Sequence, residues 1–136
     1  MLEPVIMPTD IVQRTILVVD DIPSVRFYHT YILRKDGFKC VVAHDGLEAL
    51  QRLTEGPVDL VMVDIVMPNV NGLEFIKRIR DNPAFAKLPV LVITSEAIGE
   101  QVRQERTVST GPVGYAQKPL SPSTVIEEIH RLLGEG

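Results

Sequence analysis

Apolar positions along the chain fall into two alternating patterns. Short runs rich in β-branched residues occur at TILVVD (15–20), KCVVAH (39–44), LVMVDI (60–65), VLVIT (90–94) and GYAQK (114–118), and these predict strands. The first, third and fourth hold continuous apolar runs, as expected of parallel strands covered on both faces. Between the runs the period lengthens to that of a helix. After two adjacent aspartates, Val25, Tyr28, Ile32 and Leu33 fall on one helical face, and Asp36-Gly37 supplies a stop. A second helix opens at Asp45 with Glu48 at capping-box spacing, turns Leu47, Leu50 and Leu53 inward, and ends at Gly56-Pro57. A third repeats the device with Asn71 and Glu74, places Leu73, Ile76 and Ile79 inward, and stops near Asn82-Pro83. The last opens with Ser121 as N-cap and Pro122 at the first helical position, and carries Val125, Ile126, Ile129, Leu132 and Leu133.

The fourth crossover, SEAIGEQVRQERTVSTGP, is the weak one. Its apolar residues are Ala97, Ile98, Val102 and Val108, Gly99 sits inside it, and Thr107 to Thr110 disfavour helix. The pattern predicts a short or poorly anchored helix there. Five β-α units of this length make an α/β fold, one open doubly wound parallel sheet with right-handed crossovers and helices on both faces. Sites in such sheets form beyond the carboxyl ends of the strands, where the strand order reverses.

Bulk composition narrows the function classes. The 136 residues are 45% hydrophobic and 24% charged, the balance of a single globular domain with a sizeable core. A net charge of −4 argues against a general nucleic-acid or anionic-membrane surface. No apolar run approaches the roughly 18 residues of a membrane span, and MLEPVIMPTD lacks the basic start and apolar stretch of a signal peptide. The single cysteine, Cys40, excludes an internal disulfide and reads as a buried, inert thiol, so a cytoplasmic location is expected. His29, His44 and His130 show no metal-ligand spacing and read as surface or boundary residues. Residues 1–14, with prolines at 4 and 8, read as an arm ahead of a domain spanning 15–133, with 134–136 as a tail.

The strand ends carry the chemistry. The first ends in Asp20 and Asp21, the third in Asp64, the fourth in Thr94 and Ser95, and the fifth in Lys118 and Pro119. If the first and third strands are neighbours, three carboxylates converge on one edge, with a hydroxyl and an ammonium across from them. Clustered carboxylates need a cation, and hard oxygen ligands without His or Cys suit Mg²⁺, with Mn²⁺ as a substitute. Lys118 and Thr94 then look like partners for an anion arriving at the metal. A carboxylate beside the metal can itself be the nucleophile and form an aspartyl phosphate.

The pieces VVDD, DLVMVDIVMPNVNGLEF, VLVITS and GYAQKP, in this order and spacing, resemble the receiver domain of bacterial two-component response regulators over about residues 14–133. The resemblance implies a flavodoxin-like five-stranded sheet of order 2-1-3-4-5 and a function in phosphorelay signalling. It implies Asp64 as phosphoacceptor, Asp20, Asp21 and the backbone carbonyl of Val66 as further metal ligands, and Thr94 and Lys118 as binders of the phosphoryl group. Tyr115 would be a switch aromatic coupled to Thr94, the bond to Pro119 cis, and MPNVNG (67–72) the loop after the acceptor. The implied partners are a sensor histidine kinase or histidine phosphotransfer protein, and a downstream protein or tethered output domain. The sequence departs from the family's usual pattern at Gly111-Pro112, where Gly-Ala is usual, and at the polar Ala116-Gln117.

Two other classes are weighed against this reading. A Mg²⁺-dependent phosphohydrolase with an aspartate nucleophile would use a spaced D-x-D and a substrate-binding insertion, and neither is present. A flavodoxin-type binding module would carry a Gly- or Ser/Thr-rich phosphate loop after the first strand, where DDIPS stands instead.

Overall fold

The computed structural model describes residues 13–65, 71–94, 111–118 and 120–134. Their elements run β1 (Thr15–Val19), α1 (Pro23–Lys35), β2 (Lys39–Ala43), α2 (Gly46–Glu55), β3 (Leu60–Asp64), α3 (Gly72–Asp81), β4 (Val90–Thr94), β5 (Val113–Gln117) and α4 (Pro122–Leu132). The five strands form one parallel sheet of order β2-β1-β3-β4-β5, as expected. The fourth crossover and its predicted helix lie outside the described residues, as do Ser95, Val66, most of the loop after Asp64, and Pro119.

Successive residues of a strand point to opposite faces, so each central strand feeds two cores. Leu17, Val19, Val61, Val63, Val90 and Val92 join Leu53 of α2 and Phe75, Ile76 and Ile79 of α3. Ile16, Val18, Leu60, Met62, Leu91 and Ile93 join Leu33 of α1 and Val125 and Ile129 of α4. This is why β1 after Thr15, and β3 and β4 up to their last residues, carry only apolar side chains. Each such side chain contributes about 1.5–3 kcal/mol by leaving water.

The helix ends follow the local chemistry with one exception. Asp45 accepts a hydrogen bond from the Glu48 N–H at 2.8 Å, and Asn71 accepts one from the Glu74 N–H at 2.9 Å. Past the end of α1, Gly37 adopts φ 97°, the left-handed conformation that glycine tolerates. The Phe38 N–H then reaches the Leu33 carbonyl and the Gly37 N–H the Arg34 carbonyl, a Schellman closure with Phe38 packed over Leu33. Ser121 does not cap α4: its hydroxyl lies 3.0 Å from that of Ser123, and Pro122 alone sets the start.

Three expectations about helix faces and histidines are corrected. Leu47 is 58% exposed, because α2 turns Gly46, Ala49 and Leu53 to the sheet and position 47 falls on the opposite side. Tyr28 is exposed, and the inner face of α1 is built from His29, Thr30 and Leu33. His29 is therefore buried, not a boundary residue. Cys40 is half-buried on edge strand β2, its thiol held near the Thr30 carbonyl and pushed up in pKa by burial.

Candidate functional site

Parallel pairing of β1 with β3, Val19 beside Val63, brings Asp20 level with Asp64 at the sheet edge. Asp20, Asp21 and Asp64 each present a carboxylate oxygen within 4.8 Å of the others. Asp20 and Asp64 are buried and Asp21 is half-buried, so the cluster is a pocket open on one side. Across it, the Lys118 ammonium donates to Asp64 Oδ2 at 2.7 Å. Lys118 arrives there because its N–H continues the β4–β5 ladder onto the Thr94 carbonyl. Thr94 is buried at the end of β4. Tyr115 pairs with Val92 and Thr94 with Gln117, so Tyr115 and Thr94 stand on the same face of the sheet, one diagonal step apart.

The electrostatics of the pocket are strained around Asp20. Burial pushes its carboxyl up to about 6, the Ile22 N–H bound to Oδ1 pulls it back, and the charge of Asp64 raises it again. Asp20 Oδ2 is buried and has no hydrogen-bond partner. An orphaned, buried carboxylate oxygen on a residue grouped with two more acidic side chains is poorly solvated. For Lys118, burial pulls the pKa down, but the Asp64 hydrogen bond and the charges of Asp64, Asp20 and Asp21 outweigh it and hold the ammonium protonated. All-oxygen donors with an unsatisfied carboxylate fit a hard divalent cation such as Mg²⁺, held by Asp20, Asp21 and Asp64.

The structure thus brings together Asp20, Asp21, Asp64 and Lys118 in direct proximity, with Thr94 at the adjoining strand end. Two contributors were not foreseen from the sequence. Arg26, in the second turn of α1, donates to the Asp20 backbone carbonyl at 2.6 Å and fixes the bend that carries both aspartates. Its helical position beyond the acidic pair was the available signal. Gly72 opens α3 so close to the end of β3 that a Cβ there would lie 2.6 Å from the Asp64 carbonyl oxygen and 2.7 Å from Ile65 Cα. That approach is what the NG pair at 71–72 provides, together with a hydrogen bond from the Gly72 N–H to the Ile65 carbonyl.

Comparison with known proteins agrees with this geometry. The family model of the response regulator receiver domain matches residues 16–130. Chemotaxis protein CheY-3 of Vibrio cholerae serotype O1 is 37% identical over 118 residues, which cover 86% of this chain and 89% of that protein. The structure of V. cholerae chemotaxis protein CheY4 matches with a TM-score of 0.80 at 29% identity, covering 89% of this chain and 99% of that one. The receiver domain of the Pseudomonas aeruginosa sensor histidine kinase PA1611, solved with a magnesium ion in its active-site cleft, shares the fold with a TM-score of 0.79 at 22% identity, covering 91% of this chain and 100% of that one. Among the described residues no helix is long and apolar enough to cross a membrane. The acidic cluster at the carboxyl edge of a 2-1-3-4-5 sheet is therefore that of a phosphoacceptor signalling module, and the chain belongs to the response regulator receiver domain family.

Proposed function

We propose that Asp64 accepts a phosphoryl group from the phosphohistidine of a sensor kinase or phosphotransfer protein, with Mg²⁺ held by Asp20, Asp21 and Asp64. The observation that supports this most is the pocket itself: three carboxylates within 4.8 Å, one of them carrying a buried unpartnered oxygen, with Lys118 on Asp64 at 2.7 Å. A carboxylate oxygen of Asp64 attacks phosphorus, the phosphorus–nitrogen bond breaks, and the imidazole leaves with the electron pair. A cation held by Asp20, Asp21 and Asp64 would neutralise the phosphoryl oxygens, a reading supported by the magnesium ion in the active-site cleft of the PA1611 receiver domain. Lys118, already protonated against Asp64, follows the new negative charge onto the transferred group, and the Thr94 hydroxyl donates to it from the adjoining strand. Moving Thr94 toward the phosphoryl group frees space for Tyr115 and carries the change to β5, α4 and the fourth crossover as the output surface. Residues 15–133 form the receiver unit, 1–14 its arm and 134–136 its tail.

Incubation with a small phosphodonor and Mg²⁺ tests the reading. The expected product is a stoichiometric, acid-stable and base-labile phosphoprotein that does not form in Asp64→Asn. Undiminished labelling of that variant overturns the assignment, and multiple turnover of small phosphoesters favours a phosphohydrolase instead. Asp21→Asn leaves the acceptor intact and is expected to weaken Mg²⁺ binding in a titration, so equal affinity removes Asp21 from the metal site. Val66 offers an apolar β-branched side chain two residues past the acceptor and no group to orient an attacking water. Val66→Asn is expected to shorten the phosphoryl lifetime.

A further inference from the structure

Asp20 is tied to α1 at two points. The Ile22 N–H donates to Asp20 Oδ1 at 3.0 Å, and the Arg26 guanidinium donates to the Asp20 backbone carbonyl at 2.6 Å. Sheet pairing reaches its limit at this residue: the Asp20 N–H donates to the Ala43 carbonyl at 3.1 Å, and β2 ends at Ala43. The Asp20 carbonyl takes its donor from a side chain six residues on. The start of α1 has little else to hold it. Asp45 and Asn71 cap α2 and α3 with their side chains, whereas Ile22 at the N-cap of α1 offers none, and the first turn holds no acidic residue. Pro23 removes one donor, and the Val25 and Arg26 N–H groups share the Ile22 carbonyl at 3.1 and 3.0 Å. The bend from Asp20 to Ile22 and the first turn of α1 thus form one unit, closed by Arg26.

We propose that Arg26 is a positioning residue for the divalent cation, an inference that rests on the metal site of the proposed function. The peptide whose carbonyl Arg26 holds joins Asp20 to Asp21, so one hydrogen bond orients the roots of two ligands at once. With Oδ1 taken by the Ile22 N–H, Oδ2 is the Asp20 oxygen left buried without a partner, and its place depends on the bend that Arg26 fixes. Removing a partner that orients a metal ligand typically costs about 10–100-fold in affinity. Charge acts in the opposite sense. A guanidinium bonded to Asp20 repels a cation held at the same residue, so loss of its charge alone would tighten binding. The sign of the effect therefore separates positioning from charge. Coupling is also reciprocal: a cation that draws on Asp20 tightens the turn from Ile22 to Arg26. Metal occupancy is carried in this way to the start of α1, where Ile22 is 45% and Phe27 75% exposed.

Mg²⁺ titration by calorimetry, with amide exchange alongside, tests this in the full-length parent, Arg26→Met, Arg26→Lys and Asp21→Asn. Arg26→Met is expected to bind Mg²⁺ about tenfold more weakly, and Arg26→Lys, which keeps a charged donor, to recover most of the loss. In the parent, Mg²⁺ is expected to slow exchange of the Ile22, Val25 and Arg26 amides severalfold. Arg26→Met is expected to lose that response while exchange in α4 matches the parent. Affinity in Arg26→Met equal to or tighter than the parent's, with Asp21→Asn weakened, overturns the proposal and leaves the metal site standing. Exchange of those three amides that bound Mg²⁺ leaves unchanged in the parent overturns it independently of any substitution. Undiminished affinity in Asp21→Asn, or no Mg²⁺ uptake by the parent, overturns the metal site and the proposal with it.

Discussion

Asp20 shows what the site costs the fold. Its carboxyl is buried, lacks a partner for one oxygen, and has its pKa pushed from 3.8 to about 6 by burial first, and also by the charge of Asp64. A folded pKa above the unfolded one means a stabilising contribution that is complete below pH 3.8 and lost as pH rises through about 6. Metal-free protein is therefore destabilised by Asp20 at neutral pH. Asp20→Asn is expected to raise the metal-free melting temperature at pH 7.5, with the gain shrinking toward pH 4, while Mg²⁺ stabilises the parent and not the variant. His29 has the opposite sign. Burial, and then the charge of Lys118, lower its pKa from 6.5 to about 4, so its contribution is present above 6.5 and lost as pH falls through 4. The melting temperature of His29→Leu relative to the parent is expected to rise between pH 7 and pH 5. The two residues also differ in how legible they were. Asp20 announces itself because a charge ends an apolar run. His29 sits between Tyr28 and Thr30, and no apolar period marks a polar residue that faces the core.

Elements were legible where one face is apolar and the termini carry side-chain caps, as in α2 and α3. Leu47 was misread because Leu47, Leu50 and Leu53 also keep a helical spacing, whereas the buried stripe runs through the smaller Gly46 and Ala49. What no periodicity encodes is the clasp that joins α3 to the entry of β5. Arg80 Nη1 donates to the carbonyls of Phe85, Ala86 and Leu88 at 3.1, 3.1 and 2.7 Å, and Nη2 to that of Pro112 at 3.0 Å. The clasp also accounts for Gly111: a Cβ there would lie 2.4 Å from the Arg80 guanidinium carbon and 2.7 Å from the Ala86 carbonyl oxygen. The clasp sets where β5 begins and so, five residues on, where Lys118 meets Asp64. Arg80→Met leaves carbonyls without their donor and is expected to cost about 1–3 kcal/mol, read from urea midpoints. Gly111→Ala is expected to destabilise by a similar route, with a smaller loss if Arg80 is removed in the same chain, because the two changes act on one contact.

At the scale of the molecule, the sheet is a rigid frame whose two cores leave no slack along β3 and β4, so a charge change at Asp64 has to be relieved at its carboxyl edge. β4 ends there in Thr94, whose backbone carbonyl already holds the Lys118 N–H, and Tyr115 stands one diagonal step away on the neighbouring strand. On the proposed function, attraction of the Thr94 hydroxyl and the Lys118 ammonium to a phosphoryl group would pull two adjacent strand ends together. The sequence that follows Thr94 carries four scattered apolar residues over 96–110, with Gly99 among them. On the proposed function, this segment is the element that local electrostatics at Thr94 would bias between two arrangements. A phosphoryl mimic with Mg²⁺ is expected to change amide exchange in 96–117 while exchange in β1 and β3 stays constant. In Thr94→Ala the mimic still binds through the metal, but the response of 96–117 is expected to be lost. Protection in 96–117 that is high from the outset and indifferent to the mimic would place the output elsewhere, and an undiminished response in Thr94→Ala would remove the hydroxyl from the path.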